Sequence, residues 1–153
     1  MIDGEASLAF DHRYWPVVVA TWVGSPTLTM VEHVQAWLDE SYARARTIGT
    51  AGLVVISDAT SLQELPDLDV RRRILELRHD PALMVKVIAV VPARNMMARG
   101  VVNALAWVLG DSRYTIAVSL EHAAELSERA FEQRGLAVPD SLATLRRASR
   151  DGG

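Results

Sequence analysis

The stretch Leu53-Val54-Val55-Ile56-Ser57-Asp58 decides the fold. Four consecutive aliphatic residues leave no polar face, the pattern of a strand buried on both sides in a parallel sheet. Such a strand needs helices around it, and both flanks supply them. Upstream, Met30, Val34, Trp37, Leu38, Ser41, Ala45 and Ile48 recur at helical spacing. Gly49 ends that helix because it tolerates a left-handed backbone, and Thr29 and Glu32 stand at capping-box spacing near its start. Downstream, Asp67 is placed to cap a helix carrying Leu68, Ile74, Leu75 and Leu77, closed by His79-Asp80-Pro81.

Working outward, Ser7–Asp11 and Tyr14–Val23 read as an antiparallel hairpin around His12-Arg13, with Pro16 marking a bulge or an unpaired position. Met84–Val91 is a strand, and Asn95–Leu109 a helix with Val101, Val102, Leu105 and Val108 on its apolar side. Tyr114–Val118 is a strand, and Ser119 caps a helix that stops at Gly135. The order β-β-α-β-α-β-α-β-α predicts one α/β domain over residues 1–136. It holds a five-stranded, mostly parallel sheet with an antiparallel N-terminal edge strand. Residues 137–153, with Arg146, Arg147 and Arg150, read as a peripheral tail.

Right-handed crossovers between sequential neighbours put the helices mainly on one face of the sheet. The other face is then bare, yet the strands at Leu53 and Met84 are too apolar to face water. A second copy of the chain is the simplest cover, so a homodimer is expected.

Composition narrows the function classes. Of 153 residues, 50% are hydrophobic and 23% charged, a globular balance, and the formal charge of −3 shows no basic excess suited to nucleic acid. No cysteine is present, which excludes disulfides, thiolate metal sites and thiol nucleophiles. The acidic start Met1-Ile2-Asp3-Gly4-Glu5 is unlike a secretory signal, and no apolar window approaches the ~20 residues of a membrane span. A cytoplasmic location is the default expectation.

Few residues suggest chemistry. Ser57-Asp58-Ala59-Thr60-Ser61 lies at the carboxyl end of the buried strand, where open α/β sheets present ligand sites. Asp58, Thr60 and Ser61 could hold an anion or accept a phosphoryl group. A turn ending the strand explains them more simply. Arg71-Arg72-Arg73 occupy consecutive helical positions about 100° apart, which makes a solvated face rather than one cationic patch. Arg71 or Arg72 could still reach an acidic partner or phosphate. Arg94, Asn95 and Arg99 mark a helix start able to hold an anion, although Asn95 as a plain cap accounts for the same residues. The histidines His12, His33, His79 and His122 sit in four different elements without metal-site spacing, and neither GxGxxG nor GxxxxGK occurs. No cofactor and no catalytic residue is implied.

From residue 5 to 135 the chain resembles the STAS domain, the sulfate-transporter and anti-sigma-factor-antagonist fold. The resemblance rests on the element order, on Leu53–Ser57 running into Asp58, and on Val85–Val91. Arg99-Gly100-Val101 to Trp107, Tyr114–Leu120 and Glu121–Arg134 resemble a bacterial branch grouped with STAS and CRAL-TRIO lipid-binding domains. Antagonist members of that family are phosphorylated on a serine opening a helix. The matching stretch here, Leu62 to Val70, has no serine or threonine.

The resemblance implies a non-enzymatic protein-interaction module in bacterial signalling. The alternative is a carrier or sensor of a lipid or small apolar ligand, with a cavity of roughly 300 Å³ or more near Trp107 and Leu105. An enzyme should instead gather polar groups near Asp58.

Overall fold

The computed structural model describes residues 1–97, 99, 100, 103 and 113–152. Among these, six strands form one sheet ordered as they occur in the chain: β1 (Ile2–Asp3), β2 (Ala6–Asp11), β3 (Val17–Gly24), β4 (Gly52–Leu62), β5 (Met84–Val90) and β6 (Tyr114–Ala117). The pairs β1–β2 and β2–β3 are antiparallel, and β3 to β6 run parallel. Four helices have both ends among the described residues: α1 (Leu28–Ile48), α2 (Leu68–Leu75), α3 (Leu120–Gln133) and α4 (Ser141–Asp151). The mixed α/β architecture and the antiparallel edge are as the sequence predicts, with one strand more than the five expected. The extra strand, β1, is two residues long and too short to leave a period, and Leu8 N–H donates to the Met1 carbonyl beside it at 2.9 Å.

Strand β4 is the centre of the core. Leu53, Val54 and Ile56 are fully buried, each stabilising the fold by roughly 1.5–3 kcal/mol. Side chains alternate between two layers. Leu53 and Val55, with Val18, Ala20 and Val85, pack under Met30, Trp37, Leu38 and Tyr42 of α1. Val54 and Ile56, with Val17, Val19, Ile88 and Val90, meet Ala123, Ala124 and Phe131 of α3 and Leu142 and Leu145 of α4.

The helices therefore divide between both faces, which corrects the expectation of a bare second face. Crossover geometry constrains only a helix that returns to a parallel strand. Helix α3 follows the last strand and is free to fold over the other side. Its small residues Ala123, Ala124, Ser127 and Ala130 let it approach closely. The tail expected over residues 137–153 contains α4, whose Leu142 and Leu145 are 2% and 3% exposed. Ser141 Oγ donates to the Tyr14 carbonyl at 2.7 Å, fixing α4 against the start of β3.

Local signals explain the boundaries. Thr27, not Thr29, caps α1: its Oγ1 accepts from Met30 N–H at 3.2 Å and donates to Asp3 Oδ2 at 2.6 Å. Thr29 already lies inside the helix, and Glu32 pairs with Arg73 of α2 instead of closing a capping box. Gly49 ends α1 at φ 73°, and Ser119 caps α3 by accepting from His122 N–H at 3.0 Å, both as expected. Gly24 ends β3 at φ 80°, with Ala6 so close that a Cβ would come within 3.1 Å of its Cα. Pro16 precedes β3 rather than interrupting it. The helix expected over Asn95–Leu109, with Val101, Val102, Leu105, Trp107 and Val108, lies largely outside the described residues. Among the described residues, no helix is long and apolar enough to cross a membrane.

Candidate functional site

A cross-strand row of small residues shapes the α1 side of the sheet. Ala20 of β3 is in register with Ser57 of β4, and Ser57 with Ala89 of β5. The row before it is larger: Val18, Val55, Val87 and Tyr114 lie side by side. Where large side chains give way to small ones under a helix, the layer cannot fill its space. A cavity of about 180 Å³ lies there.

Its floor is Ala20, Val55, Ser57, Val87 and Ala89, and its roof includes Val31, Val34, Trp37 and Leu38 of α1. Ile74 of α2, Leu77, Phe10 and Trp22 also line it. Phe10 stacks on Trp37 with centroids 4.3 Å apart and planes 7° from parallel. Among the described residues no Asp, Glu, Lys or Arg lines the cavity.

The wall carries a few polar groups, and most are engaged. Trp22 Nε1 donates to Ser57 Oγ at 2.8 Å, and Trp37 Nε1 donates to His12 Nε2 at 2.7 Å. His79 lies between two phenols, with Nδ1 2.9 Å from Tyr42 Oη and Nε2 2.8 Å from Tyr114 Oη. Burial pushes the Tyr42 phenol well above its ordinary range, so that hydroxyl stays protonated. The cavity sits toward the carboxyl ends of the parallel strands, the usual ligand end of an open α/β sheet.

Ser57 and Ala59 of the stretch singled out from sequence line the cavity, whereas the candidate residues Asp58, Thr60, Ser61, Arg71, Arg72, Arg94, Asn95 and Arg99 do not. Strand β4 continues through Ser57–Ser61 to Leu62, where a loop was expected. Asp58 lies on the opposite face from Ser57, and its Oδ1 accepts from Thr60 N–H at 3.1 Å and Thr60 Oγ1 at 2.8 Å. The β3–β4 register shifts at this point. Thr60 and Ser61 are exposed. Asp58 and Thr60 are thus brought together, as a local turn-like contact.

Arg71 Nε donates to the Pro66 carbonyl at 2.7 Å, while Arg72 stands 3.9 Å from Asp69. The two guanidinium groups do not share a target. Arg94 is exposed, and Arg99 N–H donates to the Asn95 carbonyl at 3.1 Å, as in a helix start. Trp107 and Leu105, named for the alternative reading, lie outside the described residues.

A second cavity of about 220 Å³, lined in part by Asp80, Lys86, Arg113, Gln133 and Arg134, opens near the amino end of β5. Its charges are mixed, and Asp80 also meets Arg46 at 3.5 Å. Among the described residues no three His, Asp or Glu side chains gather as a metal-holding group.

Sequence alone pointed to a cavity near Trp107 and Leu105 and not to these lining residues, although a signal for them was present. In the helix-facing positions of three neighbouring strands, Ala20, Ser57 and Ala89 are all small, and only the register shows that they align. In comparisons with known proteins, no family model and no curated protein matches this chain.

Proposed function

We propose that this protein is a non-catalytic cytoplasmic binding domain that holds one small apolar molecule between α1, α2 and the sheet. The observation that carries the reading is the cavity over the Ala20–Ser57–Ala89 row, walled by aliphatic and aromatic side chains without a charge among the described residues. Burying an apolar ligand there gains about 25 cal/mol per Å² removed from water and leaves no protein charge stripped of solvent. The volume, about 180 Å³, is below the 300 Å³ set out above for a carrier. It is closer to the roughly 150 Å³ apolar cavity known to accept benzene. The cavity is partly open to solvent, so the portion of a ligand that it holds against the sheet is a single ring or a short chain.

The protein-interaction reading that the STAS resemblance implies, with its homodimer, has lost its main structural argument. The face that needed a partner is covered by α3 and α4 of the same chain.

Titration calorimetry with toluene tests the reading. Binding with Kd on the order of 0.1–1 mM is expected, from the modest energy of a ligand with few atoms. Ala89→Leu, which places a side chain in the cavity, should abolish it. Equal binding by the wild type and Ala89→Leu would place the ligand elsewhere.

A further inference from the structure

The wall's polar atoms narrow the ligand class further, an inference that rests on the cavity reading above. The indole N–H groups of Trp22 and Trp37 are spent on Ser57 and His12, and both ring nitrogens of His79 are held by Tyr42 and Tyr114. Ser57 differs. A hydroxyl both donates and accepts. Its oxygen takes the Trp22 hydrogen at 2.8 Å, while its own O–H has no acceptor among the described residues. Ser57 stands in the middle of the small-residue row that forms the floor.

We infer that the cavity selects an uncharged molecule, one ring or a short chain, bearing a single hydrogen-bond acceptor oxygen that receives the Ser57 O–H. Two physical terms support this. A hydroxyl buried beside an apolar ligand without an acceptor loses its bond to water, and a ligand carbonyl or ether restores it. A carboxylate of the same size meets no cation in the wall among the described residues, and an unpaired buried charge is far more costly than an unpaired dipole. The Trp22 bond orients the serine, because an oxygen already accepting from one side directs its hydrogen away from that donor.

The test compares toluene, acetophenone and benzoate at neutral pH, each against the wild type and Ser57→Ala. One hydrogen bond is worth about 0.5–1.5 kcal/mol net. Acetophenone should therefore bind Ser57→Ala roughly 2- to 12-fold more weakly than the wild type, with toluene unchanged and benzoate not binding either protein. The infrared carbonyl band of acetophenone bound to the wild type should lie below its position in hexane, a readout that does not depend on the variant folding. Toluene and acetophenone weakened alike in Ser57→Ala, an unshifted carbonyl band, or benzoate binding as well as acetophenone each overturns the acceptor rule and leaves the cavity reading standing. Failure of both toluene and acetophenone to bind the wild type overturns the two together.

Discussion

Nδ1 of His79 lies 2.9 Å from the hydroxyl of Tyr42, which ties the segment after α2 to the middle of α1. The contact borders the apolar cavity and has a consequence at high pH. Burial raises the Tyr42 pKa in the folded chain, whereas an unfolded tyrosine ionises near pH 10. The group's contribution is complete below the unfolded value. As pH rises past about 10, the unfolded chain releases a proton that the folded chain keeps, so stability falls. Urea melts at increasing pH should show this decline, and Tyr42→Phe should flatten it. At neutral pH the same variant should lose about 1–2 kcal/mol, because His79 loses one partner.

Helix α4 is part of the core. Leu142→Ala and Leu145→Ala should each destabilise the protein by about 2–5 kcal/mol in urea unfolding, the range for deleting a buried leucine side chain. Both leucines are all but fully buried against the second face of the sheet. A chain ending at residue 136 should unfold at much lower denaturant than the full chain. Equal midpoints would return residues 137–153 to the status of a tail.

The start of α1 gives a paired comparison. Thr27→Ala removes an oxygen that accepts from Met30 N–H and a hydroxyl that donates to Asp3, and should cost about 1 kcal/mol. Thr29→Ala should change stability by less than ~0.5 kcal/mol, since a surface change away from caps and core usually does. The opposite ranking in chemical denaturation would restore the Thr29–Glu32 capping box.

Filling the cavity should be tolerated. A larger side chain forced into a tight core typically costs about 1–3 kcal/mol. Ala89 lines the cavity and is only partly buried, so Ala89→Leu should leave the urea midpoint unchanged or raise it. A large loss of stability would mean that the space is already taken.

Much of the fold was legible because its signals are local. The aliphatic run of β4, the glycine after α1 and the serine before α3 each act through their own neighbours. Strand β1 was not legible, since two residues carry no period. Helix α4 was missed because its buried stripe is only Leu142 and Leu145 among arginines. The placement of α3 depends on which face remains open after the crossovers, which no window of sequence contains. The site turned on one residue of register. Asp58 drew attention as a charged group at a strand end, while its neighbour Ser57 faces the cavity. The alignment of Ser57 with Ala20 and Ala89 joins positions far apart in the chain.

The central claim, a ligand cavity on the α1 face, is tested most directly by methyl NMR of alanine-labelled protein titrated with toluene. The account predicts saturable shifts at Ala20, Ala59 and Ala89, which line the cavity, with little change at Ala117, Ala123 and Ala124 on the opposite face. Unmoved signals at Ala20, Ala59 and Ala89 up to the solubility limit of toluene, or equal shifts on both faces, would contradict it.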